Sequence, residues 1–426
     1  MDVFFKYIFL FLFVPAFFVD VLPKGFYCIQ EKYPHFLLFQ GTFLSALLIL
    51  AFQNTFPLQT SLSFFNAFSL VFQFDYFNAY FLLCFSFTFF ILFLIRKKTS
   101  KRLFLWQLLA LYSLFLAGNV ATVFFAAFIY FIAFFLIEKK TLNVMRYLPL
   151  FFILIAYFLF IALQNHASLS IPICEISTII PASGSVLYII LSAFFIPLLI
   201  HFLEFLDEKI PNEEGILEII LSSFAFLFVS YRLTGTMLNP PLALIISFIV
   251  IASILCIMAI FLFIKFPSQK SFIPFMILFM ISLSMIFMNL RGFPVNPSIL
   301  RLQKDMVIVF PLYVLLIILF QDVFYTIKDT FTRSVSFVLF IAGLFLNPFS
   351  TIGKSFSYIF LTFKMNTLIG FLVFFVFVSF FLLAASFLLQ TERKEERWEG
   401  GPLQFSHLFF LISLVFVILF EIGMSR

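Results

Sequence analysis

Long apolar runs separated by short polar loops occupy almost the whole chain. We count about fourteen runs of roughly 16–24 residues, the length that a helix needs to cross ~30 Å of hydrocarbon. The loops between them are too short to hold a soluble catalytic domain. The pattern therefore predicts an all-α polytopic membrane protein. Its spans are expected near residues 3–22, 36–52, 74–95, 103–118, 119–137, 147–164, 184–206, 215–231, 241–264, 272–290, 306–326, 333–348, 367–390 and 407–423.

The composition agrees with a lipid environment. The chain is 64% hydrophobic and only 11% charged, whereas soluble domains carry roughly a quarter charged residues. The 76 phenylalanines are spread along nearly every apolar run, so we interpret phenylalanine as a generic lipid-facing residue. The cysteines show no metal-ligand spacing and are interpreted as small apolar packing residues. They are Cys28, Cys84, Cys174 and Cys256.

The charges in the loops predict the topology. A net charge of +6 would also fit a nucleic-acid partner, but the basic residues lie in short loops, so we expect no nucleic acid. Most of them fall in every second loop, for example in 96–102, 139–146 and 393–397. The positive-inside rule then places both termini on the non-cytoplasmic side of the membrane. The first span lacks a small-residue cleavage site and is expected to be retained.

Two of the predicted spans are interrupted by proline. Pro197 lies in the seventh span and Pro348 in the twelfth. This odd offset would make two five-helix units run in opposite directions, and broken helices in paired positions are typical of an ion-translocation site. Ordinary proline kinks are the alternative explanation. The corresponding domains are helices 1–3 (1–102), a first five-helix repeat (103–235), a second five-helix repeat (236–395) and helix 14 (396–426).

Five stretches resemble, in order, segments of one membrane-protein family. They are FQFDYFNAYFLL (72–83), LYSLFLAGNVATVFF (111–125), SAFFIPLLIHFLEFLDEKIPNEEG (192–215), QKSFIPFMILFMISLSMI (269–286) and GLFLNPFSTIGKSF (343–356). The family comprises the antiporter-like subunits of proton-pumping NADH:quinone oxidoreductase, also found in membrane-bound hydrogenases and multisubunit cation/proton antiporters. The resemblance implies broken helices 7 and 12 and places Lys270 and Lys354 at the family's lysine positions.

The chain departs from this family where buried ionisable residues are usual. The family's fifth helix carries a glutamate, but AAFIYF (126–131) is apolar apart from Tyr130. Leu191 stands where the seventh helix has a lysine. Leu312 and Leu316 stand where the eleventh helix has a histidine and a lysine. Because leucine cannot change its protonation state, the proton path is either rerouted or lost.

Five ionisable residues are candidates for a proton pathway: Lys354, Glu218, Lys270, His201 and Glu204. Glu218 lies inside the eighth span, where a carboxylate must face protein or water; snorkelling to the interface is the alternative. His201 and Glu204 share a helical face, with an interface pair as the alternative. Lys354 coincides with the helix break, whereas Lys270 begins its span and is also explained as a topology charge.

The resemblance implies a non-redox membrane subunit of a respiratory NADH:quinone oxidoreductase-type translocase. The subunit would conduct protons or support the pumping arm, with other membrane and peripheral subunits as partners. The membrane would be the bacterial cytoplasmic or the mitochondrial inner membrane. The sequence has no cysteine cluster, haem motif or glycine-rich nucleotide loop, so no cofactor is expected in this chain. The alternatives are a polysaccharide or lipid-linked glycosyl-transfer enzyme and a standalone secondary transporter.

Overall fold

The structure is a computed structural model. Its described residues form two compact units. The first unit lies within residues 1–94, 98–199 and 228–236, and the second within 95–97, 200–227 and 237–426. The described residues are 27–52, 56–64, 68–95, 101–137, 191, 194–203, 213–234, 242–265, 272–289, 297–324, 330–345, 350–351, 353–354, 367, 370–371, 374, 378 and 403–425.

Helices make up most of the described residues, as the apolar runs predict. The described residues do not include the predicted spans 3–22 and 147–164 or most of the span 367–390. The count of about fourteen helices and the division into repeats therefore stay predictions. The helices are α1 (Tyr27–Phe52), α2 (Tyr76–Ile95), α3 (Lys101–Phe115), α4 (Val120–Ile137), α5 (Phe194–Leu203), α6 (Glu213–Thr234), α7 (Leu242–Lys265), α8 (Phe272–Asn289), α9 (Pro297–Phe324), α10 (Thr330–Phe345) and α11 (Leu403–Ser425).

Two of these helices begin well before the spans predicted from hydropathy. Helix α9 starts at Pro297, and proline is favoured in the first turn of a helix because its missing N–H would be unpaired there anyway. Its first turns carry polar residues that the apolar run left out. Helix α1 likewise continues through Pro34. Helical backbone thus extends beyond the segment that is apolar enough to be recognised from hydropathy.

A β-hairpin that the apolar runs did not predict precedes α2. Strand β1 (Leu58–Phe64) pairs antiparallel with β2 (Phe68–Phe74), so that Leu58 lies opposite Phe74. Within β1, Leu58 and Thr60 are buried while their neighbours are exposed. This alternation is typical of a half-buried strand. It is not visible as a long apolar run.

The junction between α3 and α4 pairs with the outer edge of β2. The Gly118 N–H donates to the Val71 carbonyl over 2.8 Å. The Thr122 hydroxyl donates to the same carbonyl and accepts from the Val71 N–H, both over 2.9 Å. The Asn119 side-chain amide donates to the Ser69 carbonyl over 2.8 Å. Because an unpaired strand edge is costly in an apolar environment, these contacts explain why polar residues follow α3.

Helix α1 approaches α2 and α3 closely at Gly41. A side-chain carbon at this position would overlap the Tyr112 hydroxyl and lie 2.8 Å from the Ser86 hydroxyl oxygen. The two hydroxyls share a buried hydrogen bond of 2.9 Å. Glycine is scarce in this chain, but here it permits the close helix contact that small residues provide in membranes.

Phenylalanine rings fill the core of the first unit. The Phe81 ring centroid lies 4.9 Å from that of Phe115 and 5.0 Å from that of Phe228, and Phe85 lies 4.8 Å from Phe115. Such edge-on and tilted contacts stabilise aromatic clusters. The interpretation of phenylalanine as a generic lipid-facing residue is therefore wrong for this core, where bulky rings fill the space between helices. Exposed rings do occur on α1, at Phe36, Phe39 and Phe43.

The second unit is built around α9. Within Arg301–Phe324, an apolar window of 18 residues is 89% buried inside the structure, and α9 contacts α8, α10 and α11. Phe320 of α9 stacks on Phe340 of α10 with ring centroids 3.8 Å apart. Phe224 of α6 meets Phe310 edge-on, at 5.4 Å. Helix α9 is thus the element against which the side chains of this unit are positioned.

Three helices among the described residues are long and apolar enough to cross a membrane, judged by length and composition. They contain Lys32–Ala51, Tyr76–Leu94 and Arg301–Phe324. Several shorter helices are also apolar, and some present apolar side chains outward. Along α7 the exposed residues follow helical spacing, which forms the kind of stripe that lipid or another subunit covers. They are Ile246, Val250, Ile254, Ile257 and Phe261.

Candidate functional site

His201 and Glu218 face each other from α5 and α6. The His201 Nδ1 atom lies 3.4 Å from Glu218 Oε2. The His201 side chain is completely buried, whereas 22% of the Glu218 side chain is exposed. The helices around them are apolar, with Phe202 beside His201 and Ile219 beside Glu218 both buried. Ionisable side chains in such surroundings are costly unless they are paired.

This geometry allows proton exchange. A distance of 3.4 Å exceeds the 2.7–3.2 Å of an ordinary N–H···O hydrogen bond, so the imidazole and the carboxylate are close but not joined by an ordinary hydrogen bond. Imidazole and carboxylate both gain and lose protons in ordinary function. Ser222, one helical turn after Glu218 on the same face, is also buried and continues the polar side of α6.

The structure brings Glu218 to the imidazole of His201. The sequence placed Glu204 on the same helical face as His201. Glu204 and Lys270 lie outside the described residues, so their roles stay predictions. The pairing was missed because the two residues belong to different helices.

The predicted break of the seventh span does not occur at Pro197. Residues 194 to 203 are helical on both sides of this proline. Proline removes only its own N–H from the helical ladder, and a helix can accommodate the loss as a kink. Residues 204–212, which follow this stretch, lie outside the described residues.

A helical turn begins close to the interruption predicted near Pro348, and residues 346–349 lie outside the described residues. Helix α10 ends at Phe345, and a new helical turn begins after Ser350. The Ser350 hydroxyl accepts the Gly353 N–H over 2.9 Å, and its carbonyl accepts the Lys354 N–H over 2.9 Å. This is the geometry of a helix N-cap. The Lys354 side chain is exposed, so it lies at the surface of the unit.

Glu421 is a functional candidate that the sequence analysis missed. It lies near the end of α11, and its Oε1 atom accepts the Tyr313 hydroxyl over 2.6 Å. The same atom accepts the Thr351 N–H over 3.0 Å and the Thr351 hydroxyl over 2.9 Å. A carboxylate inside the predicted span 407–423 was the signal that could have found it. Glu421 thus joins α9, α11 and the turn that follows the helix break.

Asp75 has a structural environment in the first unit. Its Oδ1 atom accepts the Asn78 N–H over 2.9 Å and so caps the start of α2. Its Oδ2 atom forms an ion pair with Arg232 in the last turn of α6. Asp75 therefore caps one helix and pairs with the last turn of another.

The leucines that replace the expected ionisable groups are packed into the protein. Leu191 is buried, and Leu312 and Leu316 of α9 are almost completely buried. Tyr130, beside the position where a glutamate was expected, is buried as well. These positions are therefore parts of the apolar core, and any proton path must run through other side chains.

The comparisons with known proteins identify the fold. Neither a protein-family model nor a curated protein matches the sequence. A chain in the Mrp complex from Dietzia sp. DQ12-45-1b has a TM-score of 0.68 at 12% identity, over 91% of this chain and 80% of that one. A chain in the membrane-bound sulfane sulfur reductase, an archaeal respiratory membrane complex, has a TM-score of 0.64 at 15% identity, over 97% and 93%. The chain has the fold of a subunit from each complex.

This fold supports the coarse predictions made from the sequence. The chain is a mostly helical, integral membrane protein, as its apolar helices indicate. The shared fold agrees with the helical membrane fold that the sequence predicted. Both similar chains belong to complexes.

Proposed function

We propose that the chain is a proton-translocating membrane subunit of a multi-subunit complex, and that His201 and Glu218 carry protons along its path. The observation that carries this proposal is a buried imidazole 3.4 Å from a carboxylate in a chain with only 11% charged residues. Ionisable groups inside a membrane protein are rare and typically mark ion pathways. The fold shared with a respiratory membrane complex and with the Mrp complex supports this assignment.

The finer form of the proposal concerns the complex. The chain would be a non-redox subunit of an NADH:quinone oxidoreductase-type translocase, with the redox cofactors in partner subunits. It would lie in an energy-transducing membrane with both termini on the non-cytoplasmic side. Mass spectrometry of the native-gel band that contains this chain tests the complex. Co-migrating iron–sulfur and quinone-site subunits are expected, whereas migration with cell-envelope biosynthesis proteins would favour the glycosyl-transfer alternative.

Two conservative substitutions test the pathway. Glu218→Gln keeps the size of the side chain but cannot take up a proton, and His201→Gln removes the imidazole. We expect each to lower proton translocation on the order of 100-fold or more, the scale of a lost acid–base group. The measurement is substrate-driven acidification of sealed membrane vesicles that contain the assembled complex.

A matched control distinguishes a role in the proton pathway from a role in packing. Ser284 is a buried polar residue whose hydroxyl donates to the Met280 carbonyl of its own helix over 2.8 Å. Ser284→Ala should leave translocation unchanged. Equal amounts of assembled complex on a native gel must accompany each comparison. Normal translocation by both Glu218→Gln and His201→Gln would overturn the proposed pathway.

A scaffolding function is the second candidate, and the buried leucines favour it. Leu191, Leu312 and Leu316 fill positions where the resembling family has ionisable residues. In a scaffold the chain would be needed for assembly of the complex but not for conduction. Deletion of the chain would then remove the complex from the membrane, while Glu218→Gln would leave pumping intact.

A further inference from the structure

Charged side chains from three parts of the second unit converge near the N-terminal end of α9. Glu421 comes from α11, Lys354 from the turn after the helix break, and Asp305 from α9 itself. Asp305 interacts electrostatically with Lys304, Arg301, Lys354 and Glu421. The Glu421 carboxylate in turn accepts hydrogen bonds from Tyr313 and Thr351. The arrangement gathers groups that can hold a proton around one carboxylate.

The two oxygens of Glu421 have different roles. Oε1 accepts all three hydrogen bonds, from the Tyr313 hydroxyl and from the N–H and hydroxyl of Thr351. Within the described residues Oε2 accepts none, and Glu421 as a whole is partly exposed. One oxygen therefore fixes the carboxylate in place while the other remains able to bind a proton.

Exposure decreases along this set of side chains. Lys354 is exposed, Asp305 and Glu421 are partly buried, and Tyr313 is buried. The groups thus form a series from the surface towards the interior of α9. A proton relay needs ionisable groups arranged in this way between water and the interior.

We propose that Glu421 is a proton-binding group at the water-facing end of the translocation path, in place of the ionisable groups that α9 lacks at Leu312 and Leu316. This inference rests on the proposed function. In the step, an N–H bond of the Lys354 ammonium or the O–H bond of the Asp305 carboxyl breaks. A new O–H bond forms on Glu421 Oε2. One proton moves, and no electron is transferred.

The decisive comparison is between Glu421→Gln and Glu421→Leu. The glutamine amide keeps an oxygen that can accept the hydrogen bonds from Tyr313 and Thr351, but it cannot bind a proton. Leucine removes both functions. If Glu421 is a relay group, both variants lower proton translocation on the order of 100-fold. If it only holds the helix break in place, Glu421→Gln translocates normally and Glu421→Leu fails; that result would overturn the proposal.

A second measurement reports proton binding without relying on transport. Infrared difference spectra of the purified full-length chain, between acidic and alkaline buffers, detect carboxyl groups that titrate. The wild-type spectrum should contain a carboxyl band that is lost in Glu421→Gln and kept in a control that combines Asp75→Asn with Arg232→Gln, which removes another carboxyl group and its charged partner. An unchanged band in Glu421→Gln would overturn the proposal.

The two proposals fail in distinguishable ways. Normal translocation by Glu421→Gln together with loss in Glu218→Gln would overturn the role of Glu421 and leave the proposed function standing. Normal translocation by the Glu218, His201 and Glu421 variants would overturn the proposed function and the relay role together. In either case the infrared band decides separately whether Glu421 binds a proton.

Discussion

The carboxylate of Asp75, which contacts α6, and that of Glu218, which belongs to α6, are held in different ways. In the first unit both Asp75 oxygens are engaged, because Oδ1 accepts the Asn78 N–H while Oδ2 accepts the Gln73 amide and pairs with Arg232. In the second unit Glu218 contacts His201 at 3.4 Å, and within the described residues it accepts no hydrogen bond that would fix it. The first carboxylate is held by three partners, whereas the second has the contact with His201 within the described residues.

The partners differ as much as the carboxylates. Arginine keeps its charge under all ordinary conditions and binds with a planar, rigid group. Histidine can lose its charge within the physiological pH range. The Asp75–Arg232 pair is therefore suited to holding α2 and α6 together, whereas the His201–Glu218 pair contains the two groups that the proposed function uses as proton carriers. An ion pair in this chain therefore indicates a function only when the hydrogen bonds to its two side chains are considered as well.

The largest effect on stability is expected for the Asp75–Arg232 pair. Asp75→Ala removes the cap of α2 and leaves the partly buried Arg232 charge without its partner. We expect a loss of about 3 kcal/mol in the free energy of unfolding, from the unpaired charge and the lost cap. Denaturant unfolding of the purified chain in detergent measures it.

A double variant provides the control for this prediction. Asp75→Asn combined with Arg232→Gln removes both charges and retains a side chain that can cap α2, so it should recover most of the lost stability. If Asp75→Ala unfolded like the wild type, the pair would not be structural and the contrast with His201–Glu218 would disappear.

A smaller effect is expected from the hairpin that presents Asp75. A side-chain carbon on Gly118 would lie 2.9 Å from Val71 Cγ1 and 3.1 Å from both the Val71 carbonyl and Gln73 Cβ. Because Gln73 donates to Asp75, Gly118→Ala should strain the environment of that carboxylate and cost about 1–2 kcal/mol. Thermal unfolding in detergent is the measurement.

Gly343 is a matched control for Gly118. A side-chain carbon on this helical glycine meets no atom within 4 Å. Gly343→Ala should therefore be neutral or stabilise the chain by up to about 1 kcal/mol, the helix-propensity difference between the two residues. Equal losses in both variants would mean that the close approach at Gly118 has no special role.

The sequence predicted the helices better than the contacts between them. Apolar run length identified α2, α4 and α8 almost to the residue, because crossing hydrocarbon fixes both length and composition. The same criterion missed the hairpin, whose signal in LQTSLSF is alternation. It also could not separate buried phenylalanine such as Phe81 from exposed phenylalanine such as Phe43, since both satisfy the hydropathy pattern.

The candidate site was only partly predictable for a related reason. His201 and Glu218 were both named from the cost of ionisable groups in apolar spans, but their pairing depends on how α5 and α6 pack. Asp305 and Glu421 were not named, because their significance comes from convergence with Lys354 in three dimensions. The helix interruption before Lys354 was predicted from Pro348 and stays a prediction, because residues 346–349 lie outside the described residues.

The smallest effect on stability is expected for the His201–Glu218 pair. Measuring it tests the contrast with the Asp75–Arg232 pair most directly. In Glu218→Gln the remaining imidazole can become neutral, so no permanent buried charge is left without a partner. The free energy of unfolding should change by less than about 1 kcal/mol, even though proton translocation is lost. A loss as large as that of Asp75→Ala would show that the His201–Glu218 pair stabilises the fold in the same way as Asp75–Arg232. Because stability and translocation are measured on the same variant, a stable but non-conducting Glu218→Gln protein would place the effect on proton movement rather than on folding.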